Sequence, residues 1–207
     1  MTKTLPIIGL TGPKYSGKTT AANHLIRRYG YGGSAITDPM IDIAVPILKG
    51  MGVPGDETFD RLAPSGTRKD DPIPNFPWLT GRKVLQAIGK DLRDALSQPT
   101  DTAPDGNLHG TDSRLFYDFW LRDNADCELL VNQSVRYAFE GGIITSEGGE
   151  TWRIINPEAA PTGDTHESER QDWPVERTII APHSKGVSYL HSLIDEIMAS
   201  AGVAPIS

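Results

Sequence analysis

Cysteine is almost absent from this chain: Cys127 is the single one, which excludes an intramolecular disulfide framework and points to a thiol kept reduced. Its place at the start of an apolar run predicts a buried side chain. No apolar run approaches the roughly 20 residues that span a bilayer, and the first residues lack the charged-then-apolar order of a signal peptide. A soluble, cytoplasmic protein with no membrane partner is therefore expected. Positive charge is also in short supply. The chain carries 27 acidic against 20 basic side chains, a net charge of −7, so nucleic acid is disfavoured as a partner and any phosphate binding must rest on a few locally placed cations. The five histidines and one cysteine show no metal-ligand spacing, which argues against zinc. There is no internal repeat and no low-complexity tract.

What is present is a phosphate-binding signature. Gly12-Pro13-Lys14-Tyr15-Ser16-Gly17-Lys18-Thr19 comes after the apolar run Leu5 to Leu10 and precedes a helix-like segment, Thr19 to Tyr29. Holding a phosphate chain requires several backbone N–H groups aimed at one point, and glycine-rich turns at a helix N-terminus allow that curvature. Gly12, Lys14, Ser16, Gly17, Lys18, Thr19 and Thr20 are the expected nucleotide-binding residues. Lys18 supplies a mobile charge for the β- and γ-phosphates and Thr19 a hydroxyl for Mg²⁺, so ATP and Mg²⁺ are the expected cofactors.

At 207 residues the chain can bury one good core, and a single domain is expected. Strands are read at Leu5 to Leu10, Cys127 to Val131, Thr151 to Ile155 and Arg177 to Ala181, with a weaker fifth at Ser34 to Thr37. Helices are read at Thr19 to Tyr29, Asp38 to Met51, Gly81 to Leu96, Ser113 to Asp126 and Ser184 to Ala199, the last with Ser184 as N-cap and Val187, Leu190, Ile194 and Ile197 as its apolar set. The alternation predicts an α/β P-loop NTPase fold, a five-stranded parallel sheet flanked by helices, with the P-loop at the carboxyl edge. Val53 to Leu79 and Gln98 to Asp112 are rich in Pro, Gly and Asp and read as insertions. Asn156 to Glu176 has the same character and reads as a lid over the phosphates, carrying His166, Glu169 and Arg170. The four tryptophans, Trp78, Trp120, Trp152 and Trp173, read as packing residues, the last less easily.

A P-loop alone does not separate kinases from GTPases or motor ATPases. The Asn-Lys-x-Asp element of GTPases is absent, and Leu129-Leu130-Val131 runs into Asn132-Gln133-Ser134 without a carboxylate. Downstream of the P-loop the chain resembles the deoxynucleoside monophosphate kinases of tailed bacteriophages. Ala35-Ile36-Thr37-Asp38-Pro39-Met40 looks like that family's FADPLK element, and Gly81 to Asp91 is similar to its R..LQ.LGT. Val135-Arg136-Tyr137-Ala138-Phe139-Glu140 resembles DVRFPNE without its first residue, Gly148 to Ile154 resembles GG.VWRI, and His166-Glu167-Ser168-Glu169 resembles H.SE. The resemblance implies transfer of the ATP γ-phosphoryl group to the 5′-phosphate of a deoxynucleotide in infected-cell cytoplasm, supplying phage DNA synthesis. Two departures stand out: Ser134 replaces the aspartate before the Val-Arg pair, and Ile41 replaces the lysine of PLK.

Phosphoryl transfer demands alignment of two anions and neutralisation of the moving charge. Lys18, Arg136 and Arg170 are the expected catalytic cations. Arg136, just past the 127–131 strand, is placed to fork onto the acceptor phosphate, with an ordinary surface ion pair as the rival role. Arg82 and Arg93 flank Gln86 on one helical pattern and offer an acceptor pocket, or simply solvated helix charges. Asp38, ahead of Pro39, suits a sugar or base contact and equally a helix cap. His166 and Glu169 complete the expected substrate-binding set. A kinase of the same fold acting on a modified base in DNA and a non-catalytic nucleotide switch are the alternatives. Oligomeric state is left open, a homodimer included.

Overall fold

The computed structural model describes residues 5–33, 35–63, 66–96, 114–159 and 173–206, with the backbone alone at 93 and 94. They fall into two compact units, one drawn from Met1–Ala35 and Asn124–Ser207, the other from Ile36–Asp123.

The first unit is built on a parallel sheet. Strand β1 (Ile7–Thr11) is buried along its whole length and leads through the P-loop into α1 (Lys18–Tyr29). After the second unit the chain returns to β4 (Leu130–Asn132), α7 (Ala138–Ser146), β5 (Glu150–Ile155), β6 (Arg177–Ile180), a single 3₁₀ turn (His183–Lys185) and α8 (Val187–Ser200). Strand order is β4-β1-β5-β6, all parallel. Such a sheet is covered on both faces, so its strands read as continuous apolar runs, and that made them visible in the sequence. On one face Ile8, Leu10, Trp152, Ile154 and Ile179 pack with Ala21 and Leu25 of α1 and with Leu190, Ile194 and Met198 of α8. A fully buried aliphatic side chain of this kind contributes about 1.5–3 kcal/mol relative to exposure. The opposite face carries α7, which comes so close that a Cβ on Gly9 would meet Ile144 at 2.3 Å.

The sheet has four strands among the described residues, not the five expected. Of the strand expected at Ser34 to Thr37, Ser34 lies outside the described residues and Ala35 to Thr37 are not extended into one; there is one parallel bridge just before it, Gly32 to Leu130, then Gly33 at φ 115° and a turn before Asp38. Two adjacent glycines offer no side chains for a sheet face to hold, so pairing stops at one residue. Nor is Ser184 the cap of α8. Gly186 occupies that position, while Ser184 donates from its backbone N–H to Glu158 at 2.8 Å and from its hydroxyl to the same carboxylate. These bonds hold the Glu158 carboxyl below the usual range. The buried stripe of α8 is Leu190, Ile194 and Met198, four residues apart, and Val187 is exposed.

The second unit is largely helical. It contains α2 (Asp38–Gly50), α3 (Gly55–Leu62), a hairpin of β2 (Pro72–Ile73) and β3 (Phe76–Thr80), α4 (Gly81–Ala87), a π-helical turn (Ile88–Leu92), α5 (Arg93–Leu96) and α6 (Leu115–Asp123). Ile41, Ala44, Leu48, Val53, Leu62, Ile73, Val84, Ile88 and Phe116 form its core. The stretch Val53 to Leu79, read as an irregular insertion, thus supplies a helix, a hairpin and three of these core side chains. It is organised by Arg61, which is buried and donates to the carbonyls of Asp71 and Pro72, both at 3.1 Å, while its Nη2 lies 3.4 Å from Glu57. The expected helix Gly81 to Leu96 holds its bounds but is interrupted by the π turn, where a Cβ on Gly89 would come within 3.3 Å of Met40 Sδ. Trp120 and Trp152 are fully buried as expected, whereas Trp78 is exposed on β3 and stands edge-on to Phe76. Cys127 is half-buried against Gly32. The segment Gln98 to Asp112 lies outside the described residues.

Candidate active site

Thr11 ends β1, and the chain then reaches α1 through a backbone that reverses hand repeatedly. Gly12 has φ 139°, Tyr15 φ 63° and Gly17 φ 104°. Alternation of this kind turns successive N–H groups toward one concavity, the geometry that binds anions. Gly12 is required for space as well, because a Cβ there would lie 2.2 Å from the carbonyl oxygen of Ile154 on β5. Tyr15 holds a positive φ without being glycine, a conformation that costs energy and is concentrated at functional loops. Its ring is exposed and Lys14 Nζ sits 4.9 Å above it.

Lys18 is the first residue of α1 and Gly17 its N-cap, with no side chain capping the helix end. The N-terminal N–H groups of α1 therefore face the loop, where the helix dipole favours negative charge. Lys18 Nζ donates to the carbonyls of Gly12 at 2.6 Å and Pro13 at 2.7 Å, so the ammonium is folded back over the loop. Thr19 is exposed and Thr20 half-buried in the first turn, and the Ser16 hydroxyl is buried inside the loop with no partner among the described residues. A glycine cradle, a helix N-terminus, an ammonium folded over the loop and an unsatisfied hydroxyl fit the phosphate chain of a nucleoside triphosphate. A metal held between those phosphates would take Thr19 Oγ1 as its protein ligand. Among the described residues there is no group of three or more His, Cys, Asp or Glu side chains arranged to hold a metal ion.

Beside β1, β4 ends at Asn132 and the chain crosses back to the P-loop strand, where the Val135 N–H donates to the Leu10 carbonyl at 3.2 Å. Arg136 comes next, exposed at the carboxyl edge of the sheet. Its position is set from below: the buried Glu140 carboxylate accepts from the backbone N–H of Arg136 at 2.6 Å and of Tyr137 at 3.1 Å, closing the start of α7. Glu150 on β5 accepts from Trp152 Nε1 at 3.0 Å and from Arg177 Nε at 2.6 Å.

A protein of Acanthamoeba polyphaga mimivirus, provisionally named a deoxynucleotide monophosphate kinase, is 35% identical over 170 residues, covering 79% of this chain and 80% of its own length. The chain belongs to the deoxynucleotide monophosphate kinase family. No protein-family model matches it. The relative comes from mimivirus, so the resemblance to bacteriophage enzymes widens to the kinase family as a whole.

Among the other kinase-family motifs, Asp38 is the first residue of α2 with Pro39 behind it, and Thr37, not Asp38, is the N-cap. Arg82 and Gln86 are four apart on α4, hence on one face, and both are exposed. Arg82 forks onto Asp70 with bonds of 2.6 and 2.9 Å. Arg93 opens α5 directly after the π turn. The P-loop and Arg136 are thus brought to one sheet edge of the first unit, and Asp38, Arg82 and Gln86 belong to the second. His166, Glu169 and Arg170 lie outside the described residues. The residues of the first unit that sequence reasoning passed over are Glu140 and Glu150, read only as letters of a motif, and Asn132, noted only for not being an acid. No helix among the described residues is long and apolar enough to cross a membrane.

Proposed function

We propose that this member of the kinase family transfers the γ-phosphoryl group of ATP, with Mg²⁺, to the 5′-phosphate of a deoxynucleoside monophosphate. The products are ADP and the deoxynucleoside diphosphate, a precursor for viral DNA synthesis. The observation that carries the reading is the built P-loop: Gly12 to Thr19 curved against the N-terminus of α1, with Lys18 at the helix start and Arg136 on the neighbouring strand's edge.

In this reading the loop N–H groups bind the β-phosphate. Lys18 exchanges its two carbonyl partners for phosphate oxygens and neutralises charge on the transferred group, as preorganised cations do in phosphoryl transfer. Thr19 is the residue that would hold Mg²⁺, which would supply positive charge to offset the negative charge of the phosphates. Arg136 receives the acceptor phosphate. Its backbone is fixed by Glu140, so its guanidinium reaches outward from a rigid base. Asp38, Arg82 and Gln86 bind the acceptor nucleotide. Arg82 is already held in a fork by Asp70, which limits its sweep.

The test is conversion of each of the four common deoxynucleoside monophosphates to diphosphate, monitored by chromatography, with ribonucleotides, 5-substituted pyrimidine monophosphates and a DNA duplex as competing acceptors. Diphosphate formed from at least one free deoxynucleotide supports the reading. Label transferred only to the duplex would replace it with a DNA-modifying kinase.

A further inference from the structure

β1 and β4 pair in parallel with Gly9 opposite Asn132. Residues two apart on a strand share a face, so Thr11 lies on the same face as Gly9 and Asn132, one step nearer the P-loop. Both Thr11 and Asn132 are completely buried. Asn132 has a defined orientation, because its Oδ1 accepts from the backbone N–H of Ser134 at 3.0 Å and contacts the Ser134 hydroxyl at 3.2 Å. A backbone N–H can only donate, so the amide oxygen is fixed toward Ser134 and Nδ2 must point away. Among the described residues that Nδ2 has no hydrogen-bond partner, and neither does Thr11 Oγ1. Ser16 Oγ, within the loop that Thr11 introduces, is a third buried and unpartnered group.

Buried donors without acceptors are costly and rare in folded proteins. Here an amide N–H₂ and two hydroxyls are orphaned on residues that end β1 and β4 and build the phosphate loop. The cluster offers donors and carries no negative charge, so it complements an oxygen-rich anion. We infer that Asn132 Nδ2 and the Thr11 hydroxyl donate hydrogen bonds to phosphate oxygens of a bound nucleotide, extending the P-loop cradle onto β4. This rests on the phosphoryl-transfer reading for its ligand. Two phosphates could occupy the position, the terminal phosphate of ATP or the 5′-phosphate of the acceptor.

The experiment uses the full chain and two variants that alter only these groups. Thr11→Val keeps the shape and removes the hydroxyl; Asn132→Asp keeps an acceptor for the Ser134 N–H and replaces the Nδ2 donor by oxygen. Melting temperature without ligand is measured together with calorimetric affinity for a non-hydrolysable ATP analogue and, separately, for a deoxynucleoside monophosphate. Thr11→Val should melt no lower than wild type, since its hydroxyl satisfies nothing in the protein, yet bind one nucleotide about tenfold more weakly. Asn132→Asp should weaken the same nucleotide at least about tenfold, by loss of a donor and repulsion of the anion. Loss in the ATP arm assigns the cluster to the donor phosphate, and loss in the other arm assigns it to the acceptor. Unchanged affinity of Thr11→Val for both nucleotides would overturn the inference, and so would turnover of Asn132→Asp equal to or above wild type, which would mark a metal ligand instead. Should Asn132→Asp fail to fold, Thr11→Val alone decides. A wild-type chain that binds both nucleotides but phosphorylates no free deoxynucleotide defeats the kinase reading while leaving the binding comparison decisive. One that binds neither defeats both.

Discussion

Glu140 holds the backbone N–H of Arg136 at 2.6 Å, and this single contact converts an exposed arginine into one with a fixed point of departure. The carboxylate is buried and satisfies two N–H groups at the start of α7, so its value is both capping and placement. Glu140→Ala should lower stability by about 1–3 kcal/mol, because two backbone donors lose their acceptor. Urea denaturation measures this directly. Glu140→Gln keeps one acceptor oxygen and should recover part of the loss.

Arg136→Ala should raise the acceptor KM and lower kcat with little change in affinity for ATP. Steady-state kinetics paired with calorimetry of ATP binding separates the two effects. Collapse of ATP affinity at constant acceptor KM would place Arg136 on the donor side.

Gly12→Ala should disable the loop even though it adds one methyl group. The new Cβ would approach the Ile154 carbonyl oxygen to 2.2 Å at a φ of 139°. Relieving that clash must shift the loop or β5, and holding the strained backbone costs about 1–3 kcal/mol. The expected outcome is a folded protein, by circular dichroism, with a lowered melting temperature and no measurable ATP binding.

Where α1 meets α8, His24 stacks on His191 at 4.0 Å, and Asp195 accepts from Tyr29 at 2.7 Å, lies 2.7 Å from His24 Nε2 and pairs with Arg28 at 3.1 Å. Burial, with the neighbouring His24 adding to it and Asp195 opposing, depresses the basicity of His191. A histidine whose folded pKa is lowered binds its proton less readily when folded than when unfolded. Its contribution to stability is therefore complete above the unfolded value of about 6.5 and is lost as pH falls from there through the folded pKa. For Asp195 burial acts upward, but hydrogen bonds from Tyr29 and His24 win and the net shift is downward, so its contribution disappears at lower pH still. Melting temperature should fall on acidification below about pH 6.5. His191→Phe, which keeps a stacking ring, should flatten the upper part of that slope, just below about pH 6.5; an unchanged slope would show that His191 is not its source.

The P-loop, β1, β4, β5, β6 and α1 were legible in the sequence because parallel strands buried on both faces leave unbroken apolar runs and because glycine spacing encodes backbone reversal. The fifth strand failed at Gly32 and Gly33, where propensity could not reveal that pairing ends after one bridge. The second unit was under-read for another reason. Val53 to Leu79 looks too polar to pack, yet Arg61 is buried against carbonyls 10 and 11 residues away, and a polar side chain bonded to distant backbone leaves no periodic trace. In the candidate site, Lys18 and Thr19 are assigned by motif. Asn132 is not, because the orphaned state of its Nδ2 depends on Ser134 holding its other end.

The central claim is that the P-loop drives phosphoryl transfer to a free deoxynucleotide, and the most direct measurement is ADP release with and without each deoxynucleoside monophosphate, for wild type and Lys18→Ala. ADP formation should depend on added acceptor, be matched one to one by diphosphate product, and fall at least about 100-fold in Lys18→Ala at unchanged melting temperature. Slow ADP release indifferent to every acceptor, or a Lys18→Ala protein with more than half of wild-type turnover, would contradict it.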